Sequence, residues 1–276
     1  MVRAVSVGDN CIDHYLPPVE RTFVGGNAVN VAVAMRRLGI ESAYAGAVGS
    51  DEEGRRVLDA LRAEGIDVSQ VRVMEGKTAV TDISLRDGDR VIVDERMGVM
   101  EAFHPDEALL ASLSSYDLVH NTLLGQTADD LRGFKKRGLA TSFDFSDRSD
   151  EALLHQTLPY VDIAFLSLPG TSRDDAEAFA MRVAAAGPRV VVVTMGPNGS
   201  LAYDGVRCFV QAALPVEPLV DTLGAGDALT GAFLATWLEG GSLPECLYQG
   251  ALLAAQTCTH LGAWVPKDER EGELKR

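Results

Sequence analysis

The stretch Asp221–Phe233, DTLGAGDALTGAF, combines a glycine-rich turn with the start of an apolar helix. Gly224, Ala225 and Gly226 carry almost no side chain, so their backbone can approach a ligand closely. Their N–H groups lie at a helix start, where the helix dipole also favours an anion. Asp227 falls in the first helical turn, where its carboxylate can accept a proton from an incoming hydroxyl. A cradle for negative charge beside a base suits phosphoryl transfer, although a simple glycine-rich turn with a helix-start aspartate has the same pattern.

Around this stretch, short apolar runs alternate with helical patterns along most of the chain. Such alternation predicts a mostly parallel sheet that helices cover on both faces. The predicted strands are 2–7, 43–48, 118–120, 140–145, 163–166 and 190–194. The predicted helices are 28–38, 51–64 with Ser50 as its cap, 129–137, 151–156, 174–185, 226–238 and 243–260.

The middle of the chain breaks this rhythm. Residues 71–74, 79–85 and 90–94 resemble strands, with no helical pattern between them and a hairpin turn at 86–89. These three strands predict a small sheet that stands off the main body. The expected fold is therefore a doubly wound α/β sheet with a β outgrowth.

Composition limits the function classes that remain. A chain of 276 residues with 46% apolar residues can bury one large core, and 25 basic against 40 acidic residues give a net charge of −15. This charge repels phosphate backbones, so we expect no nucleic-acid partner. The four cysteines have no paired spacing, the N-terminus is too polar for a signal peptide, and no apolar run is long enough to span a membrane. These features predict a cytoplasmic protein with reduced thiols.

Three further clusters follow predicted strands or open predicted helices. Gly25–Asn27 opens a helix and Asn30 follows one turn later, so two amides beside a glycine pair suit the recognition of hydroxyls. Asp9 and Asp13 both follow the first predicted strand, and such carboxylates can bind a pair of neighbouring sugar hydroxyls. The turn Thr194–Gly199 follows a valine-rich strand, at the edge where α/β sheets bind ligands. Each cluster alone is also compatible with ordinary caps and turns.

Taken together, these motifs resemble the ribokinase (PfkB-type) family of carbohydrate and nucleoside kinases. GGNAVNVAVAMRRLG resembles the first family signature and DTLGAGDALTGAF the second, roughly 200 residues later, and the TMGPNG turn agrees. The resemblance covers about residues 1–264 and implies a ribokinase-like fold in which the small β-sheet is a lid over the sugar. It implies a kinase domain over 1–266, with lid strands at about 13–24 and 71–98 and a charged tail at 267–276.

The resemblance also implies roles for individual residues. Asp227 would be the catalytic base, and the N–H groups of Gly224, Ala225 and Gly226 would form the anion hole. The sugar would be bound by Asp9, Asp13, Gly25, Gly26, Asn27 and Asn30. The nucleotide site would be lined by Thr194, Gly196, Gly199, Ala254 and Thr257. A monovalent cation such as K⁺ would bind Asp221 and the carbonyls near Leu223 and Gly262.

Shorter matches narrow the substrate. GDNCID, GDRVIVDERMGVM, FDFSD and HLGAW resemble the branch of the family that phosphorylates fructosamines. This implies an ATP-dependent kinase that acts on a primary hydroxyl, the 6-hydroxyl of a fructosamine such as fructoselysine. We expect Asp94 and Arg90 to bind the charged amine-bearing end of that substrate. A kinase for another ketose, a sugar acid or a nucleoside remains an alternative.

One departure from the family bears on Mg²⁺. Most members carry an Asn-x-x-Glu motif that is tied to the magnesium site, and here Ser167–Gly170 stands in its place. Mg²⁺ bound with ATP would then be held by water and phosphate. The absence of the Asn-x-x-Glu motif supports the remaining alternative, a regulator that binds a sugar or nucleotide and has no catalytic activity. Lid strands of this family often pair between subunits, which predicts a homodimer through the lid.

Overall fold

The computed structural model describes residues 2–86, 89–148 and 150–267, without the side chains of residues 85, 86, 89 and 90. The predicted turn residues 87–88, the tail 268–276 and the side chain of Arg90 lie outside this description. The strands are β1 (Arg3–Val7), β2 (Cys11–Tyr15), β3 (Arg21–Gly25), β4 (Glu41–Ala45), β5 (Ala47–Gly49), β6 (Arg72–Met74), β7 (Val80–Arg86), β8 (Asp89–Arg96), β9 (Leu118–Thr122), β10 (Ala140–Asp144), β11 (Ile163–Ser167), β12 (Val190–Thr194), β13 (Ser200–Tyr203) and β14 (Cys208–Gln211). The helices are α1 (Asn27–Arg37), α2 (Glu52–Ala63), α3 (Glu107–Ser112), α4 (Leu131–Lys136), α5 (Glu151–Thr157), α6 (Arg173–Ala184), α7 (Ala225–Leu238) and α8 (Leu243–Thr257).

The main sheet has the strand order β14-β13-β12-β11-β10-β9-β1-β4. The strands from β4 to β12 in this order are parallel to their neighbours, and β13 and β14 extend the sheet as antiparallel strands. Because parallel strands point the same way, their carboxyl ends meet at one edge of the sheet. The carboxyl ends of five of these strands, or the loops that follow them, build the site described below.

Helices pack on both faces of the main sheet, as the alternation of strands and helices predicts. Phe165 and Val192 point to one face, where they pack with Phe233 of α7. Ala164 and Val191, the neighbouring residues in the same strands, point to the opposite face and its helices. β11 and β12 are thus apolar on both sides, which explains their nearly unbroken apolar sequences. The predicted doubly wound α/β fold is confirmed.

A second sheet of four strands stands apart, in the order β3-β2-β7-β8. The antiparallel pair β7–β8 was expected in this sheet and lies there. Residues 71–74 do form a strand, β6, but its expected place in the small sheet was wrong, because β6 pairs with β5 in a separate two-stranded sheet. The single strand expected at 43–48 divides for the same reason, since its first half joins the main sheet and its second half joins β6.

Local capping differs from the prediction at the start of α2. Asp51, not Ser50, is the N-cap, and its carboxylate accepts a hydrogen bond from the Gly54 N–H at 3.0 Å. Asp51 also accepts from the Thr78 hydroxyl at 2.6 Å, so this cap ties α2 to the segment before β7. Within the described ranges, no helix is both long and apolar enough to cross a membrane.

Candidate active site

A cavity of about 380 Å³ opens at the carboxyl edge of the main sheet, beneath the four-stranded sheet. Its wall is formed by the loops after β1, β9 and β10, by the ends of β11 and β12, and by the start of α7. Of the residues predicted for the site, the cavity wall contains Asp9, Asp13, Gly26, Asn27, Asn30, Thr194, Gly224, Gly226 and Asp227. The fold therefore brings residues that are 200 positions apart in sequence into one cavity.

The carboxylate of Asp227 is buried and held in one orientation. The Asn30 amide donates to its Oδ2 at 2.7 Å, and the Trp264 indole N–H donates to the Asn30 Oδ1 at 3.1 Å. Since the indole can only donate, the Asn30 oxygen must face it and the Asn30 NH₂ must face the carboxylate. Asn30 of α1 and Trp264, after α8, thus fix the orientation of the predicted base on α7. Trp264 has a role that its sequence pattern did not reveal.

The turn before α7 brings Gly224 and Gly226 to the cavity wall, while the Ala225 N–H donates to the Thr222 carbonyl at 3.3 Å. Gly224 has φ 74°, and a Cβ on it would lie 2.3 Å from the Cβ of Ala263, so a glycine is required there. At Gly226 an added Cβ would meet nothing within 4 Å, which means that the first turn of α7 faces open space. The first N–H groups of a helix have no intrahelical acceptor. The geometry suits an anion at this point.

The glycine pair before α1 makes room for two neighbours. A Cβ on Gly25 would lie 2.0 Å from the Asp13 Oδ2, and a Cβ on Gly26 would lie 2.4 Å from the Asn10 Cα. Gly25 does not line the cavity; it allows the Asp13 carboxylate to do so. Burial and the neighbouring Asp13 raise the pKa of the Cys11 thiol, which stays protonated and donates to Asp13 Oδ1 at 3.2 Å.

Asp9 is engaged by the protein itself. Its carboxylate accepts from the Asn27 N–H at 2.6 Å, from the Ala28 N–H at 3.4 Å and from the Thr122 hydroxyl. Burial raises the pKa of Asp9, and these hydrogen bonds oppose that shift. Asp9 therefore anchors the N-terminus of α1, and with it Asn27 and Asn30, at the cavity wall.

Asn10 and Asp144 are two buried polar residues among the cavity residues that were not predicted as site residues. Asn10 is buried, its amide donates to the Tyr44 hydroxyl and the Ala47 carbonyl at 2.8 and 2.7 Å, and its Oδ1 has no partner among the described residues. Asp144 ends β10, accepts from the Ser146 N–H at 2.7 Å, and burial raises its pKa to about 6. Their sequence signals are their positions near the ends of buried strands and within the stretches GDNCID and FDFSD.

Asp221 lies behind the anion cradle rather than in the cavity wall. Its carboxylate accepts from the Leu223 N–H at 2.9 Å, from the Gly262 N–H at 3.1 Å and from the Tyr15 hydroxyl. Burial and Asp221 raise the pKa of Tyr15, so the phenol remains a donor. Within the described parts of the chain, no three acidic, histidine or cysteine residues form a group that could hold a metal ion.

Several predicted site residues lie away from the cavity wall. Gly196 and Gly199 form the turn between β12 and β13, and Ala254 and Thr257 lie on α8. Asp94 was expected to bind the substrate cation, but it is outside the wall and pairs with Arg96. The wall residues of β8 are Ile92, Glu95 and Arg96 instead. The reason is the register of β8, which an irregularity in its pairing with β7 shifts by one residue.

Comparisons with known proteins agree on the family. The model of the family described as pfkB family carbohydrate kinase matches residues 3–270. The chain is 40% identical over 265 residues to fructoselysine 6-kinase of Escherichia coli (strain K12), covering 96% of this chain and 100% of that protein. It is 32% identical to fructosamine kinase FrlD of Bacillus subtilis (strain 168), covering 95% and 93% of the two chains.

Solved structures show the same fold. Arabidopsis thaliana ribokinase complexed with ribose and ATP has a TM-score of 0.83 at 23% identity, covering 95% of both chains. The microbiome-derived acarbose kinase Mak1 has a TM-score of 0.79 at 26% identity, covering both chains completely. The likeness shows that the main sheet and its flanking helices form the ribokinase-like fold.

Proposed function

The chain belongs to the pfkB family of carbohydrate kinases, and from this premise we propose that it transfers the γ-phosphoryl group of ATP to the 6-hydroxyl of a fructosamine such as fructoselysine. The main support is the 40% identity, over nearly the whole of both chains, to a protein named fructoselysine 6-kinase. The cavity supports the same proposal, because a buried carboxylate and a helix N-terminus face one space.

In the proposed mechanism, Asp227 accepts the proton of the 6-hydroxyl as its oxygen attacks the γ-phosphorus. Asn30 donates to the other side of that carboxylate and keeps one oxygen turned to the substrate. The N–H groups of Gly224 and Gly226 at the start of α7, joined by that of Ala225 when it leaves the Thr222 carbonyl, stabilise the negative charge that develops on the phosphoryl oxygens. This fixed base would be of no use to a protein that only binds sugar.

The sugar is proposed to bind between the loop after β1 and the start of α1. The Asp13 carboxylate can accept hydrogen bonds from two hydroxyls, Asn27 lines the cavity, and the Asn10 Oδ1, which has no partner among the described residues, is the proposed acceptor for a third hydroxyl. Gly25 and Gly26 let the Asp13 carboxylate and the Asn10 backbone approach. Asp9 acts indirectly, since it anchors this wall.

The nucleotide is proposed to lie over the ends of β11 and β12, with Thr194 in the wall and Gly196, Gly199, Ala254 and Thr257 farther out. At the end of β11 the protein offers Mg²⁺ one ligand, the hydroxyl of Ser167, and no carboxylate follows it in the next three residues. Such a site fits a Mg²⁺ that arrives already bound to the nucleotide. Mg²⁺ commonly keeps several waters and substrate phosphates as ligands. When bound, it would neutralise the charge of the phosphates.

For K⁺ we propose a minor role at Asp221. The three donors to this carboxylate already compensate part of its charge. A monovalent cation there would depend largely on backbone carbonyls, as at Leu223 and Gly262. The contribution of K⁺ to turnover is therefore small while Tyr15 remains in place.

A homodimer through the four-stranded sheet is also part of the proposal. β8 is an edge strand of that sheet, and it exposes Val91, Ile92 and Val93, with 55% of Ile92 accessible. An unpaired edge with apolar side chains is favourable for pairing with a second copy.

The test of the proposed function is ADP release with a panel of acceptors: fructoselysine, fructose, ribose, 2-keto-3-deoxygluconate and cytidine. We expect the highest kcat/KM with fructoselysine, and a loss of about 10²–10⁴-fold in kcat for Asp227→Asn, which keeps the shape but cannot take the proton. Calorimetry of ATP binding to this variant is the control for folding. A higher kcat/KM with another acceptor would overturn the substrate, and normal turnover by Asp227→Asn would overturn the mechanism.

A further inference from the structure

A groove of about 400 Å³ continues from the substrate cavity toward the surface. Cavity and groove share Glu95 and Met97 of the β8 end, Leu123 and Leu124 of the loop after β9, and Arg148 of the loop after β10. The two spaces are therefore continuous. A substrate that places its sugar in the cavity can extend a substituent into the groove.

The groove has an apolar part that is preformed. Leu123 and Leu153 are partly buried against the core on one side of the main sheet, and Met97 is partly buried against the neighbouring core cluster. Leu124 completes this wall. Each side chain is held by the body of the protein and still presents surface to the groove, which suits a chain of methylene groups.

Two opposite charges line the same groove without pairing. Within the described part of the chain, neither the Glu95 nor the Arg148 side chain forms a hydrogen bond or ion pair, and the two do not contact each other. Neighbouring charges are already engaged: Arg96 pairs with Asp82 at 3.0 Å, and Asp150 caps α5 by accepting from the Leu153 N–H at 2.9 Å. A carboxylate and a guanidinium held apart beside an apolar wall are complementary to a zwitterion.

We propose that this groove binds the amino-acid end of the substrate, with Arg148 on the α-carboxylate, Glu95 on the α-ammonium and the leucine wall along the methylene chain. The inference rests on the proposed function and assigns substrate specificity to residues outside the family motifs. It replaces Asp94 and Arg90, of which the first lies outside the cavity wall. Arg148 can bind a carboxylate through two N–H groups at once.

The experiment uses four adducts of fructose that differ only in the tail. Lysine, linked through its ε-nitrogen, carries both charges; 6-aminohexanoate keeps the carboxylate, 1,5-diaminopentane keeps the ammonium, and pentylamine keeps neither. Each adduct is tested as acceptor with the wild type, Arg148→Gln and Glu95→Gln. The exposed Arg132 of α4 and Glu239 after α7 supply the matched controls, Arg132→Gln and Glu239→Gln, because neither residue lines the groove.

We expect Arg148→Gln to raise KM about tenfold for the two adducts with a carboxylate and to leave the other two unchanged. Glu95→Gln should raise KM by a similar factor only for the two adducts with an ammonium. The value of kcat should change little, because the tail is remote from the reacting hydroxyl. The two control variants should behave as the wild type.

Equal changes in KM for all four adducts, or no change, would overturn the inference and leave the proposed function standing. If the protein phosphorylates none of the four adducts but does phosphorylate another sugar, the proposed function fails and the inference fails with it. The two failures are therefore distinguishable in one set of assays.

Discussion

At the scale of single residues, the orientation of Asp227 depends on Trp264 through Asn30. Trp264→Phe keeps an aromatic ring but removes the N–H that fixes the Asn30 amide. We expect kcat to fall about tenfold with the KM for ATP unchanged, because misplacement of a catalytic group lowers the rate of the chemical step. Kinetics of the variant, of Asn30→Ala and of the double variant measure this.

The double variant distinguishes positioning from packing. If Trp264 acts through Asn30, the loss in the double variant will not exceed that of Asn30→Ala alone. Trp237→Phe is the matched control, since Trp237 packs against the core and does not line the cavity. Additive losses in the double variant, or an equal loss in Trp237→Phe, would contradict the positioning role.

Asp144 predicts a pH-dependent stability. Burial raises its pKa from 3.8 to about 6, so the folded state favours the protonated form and loses stability as the pH rises from about 4 to about 6. Asp144→Asn cannot ionise and keeps an oxygen for the Ser146 N–H. It should stabilise the protein by about 3 kcal/mol above pH 6 and progressively less below.

Urea unfolding between pH 4 and pH 8 checks this expectation. The difference between Asp144→Asn and the wild type should grow across the window and then stay constant. Glu239→Gln, at an exposed position after α7 that does not line the cavity, is the control and should show no such growth. A difference independent of pH would exclude Asp144 as the titrating group.

We expect Tyr15 to determine how strongly turnover depends on K⁺. Tyr15→Phe removes the hydroxyl that donates to Asp221 and leaves this buried carboxylate with two backbone donors. We expect activation by K⁺ to be small in the wild type and to increase several-fold in the variant, because an uncompensated buried charge favours a counterion. Turnover with K⁺ replaced by tetramethylammonium measures it; equal K⁺ activation of both proteins would refute it.

At the scale of elements, the four-stranded sheet is weakly supported. Its largest separate core cluster contains Tyr15, Phe23 and Ile83, and the partly buried neighbours Leu223 and Leu261 come from the main body. A small sheet with so little core depends on contacts outside itself. This is the physical basis for its predicted action as a lid.

Hydrogen exchange tests the lid. We expect the amides of 13–22 and 80–86 to exchange faster without ligand than with fructoselysine and a non-hydrolysable ATP analogue, because closure adds contacts to strands that lack their own core. β12, buried in the centre of the main sheet, should exchange equally in both states and serves as the internal control. Equal protection of the lid strands in both states would contradict closure.

The elements also show what the sequence can predict. Val190–Thr194 was predicted to the residue, because a valine run between a helix and a glycine turn has no other stable place than a buried strand. The residue pattern did not predict β2, since CIDHY carries polar residues and looks like a loop; only the family resemblance implied a lid strand from about residue 13. The pairing of β6 with β5 depends on contacts distant in sequence, which no local pattern encodes.

For the site, too, local patterns could be predicted from the sequence and long-range contacts could not. Asp227, Gly224 and Gly226 could be predicted to lie together, as they do in the cavity wall, because the turn and the helix start are local in the sequence. Asn10, Trp264 and Arg148 were not predicted, because their chemistry exists only once three distant segments meet in one cavity. A lone asparagine or tryptophan in a sequence carries no sign of its future partner.

At the scale of the whole molecule, the exposed edge of β8 predicts self-association. Val93 is 52% accessible in the edge strand, and Val93→Lys places a charge where a second copy would pair. We expect the wild type to sediment as a dimer at micromolar concentration and the variant as a monomer. Val206→Lys, at an 83% exposed valine in the turn between β13 and β14, is the control and should remain dimeric. Since Ile92 and Glu95 of the same strand line the cavity, the monomeric variant should also show a raised KM for the sugar. A monomeric wild type, or a Val93→Lys variant that remains dimeric, would show that the lid is not the interface.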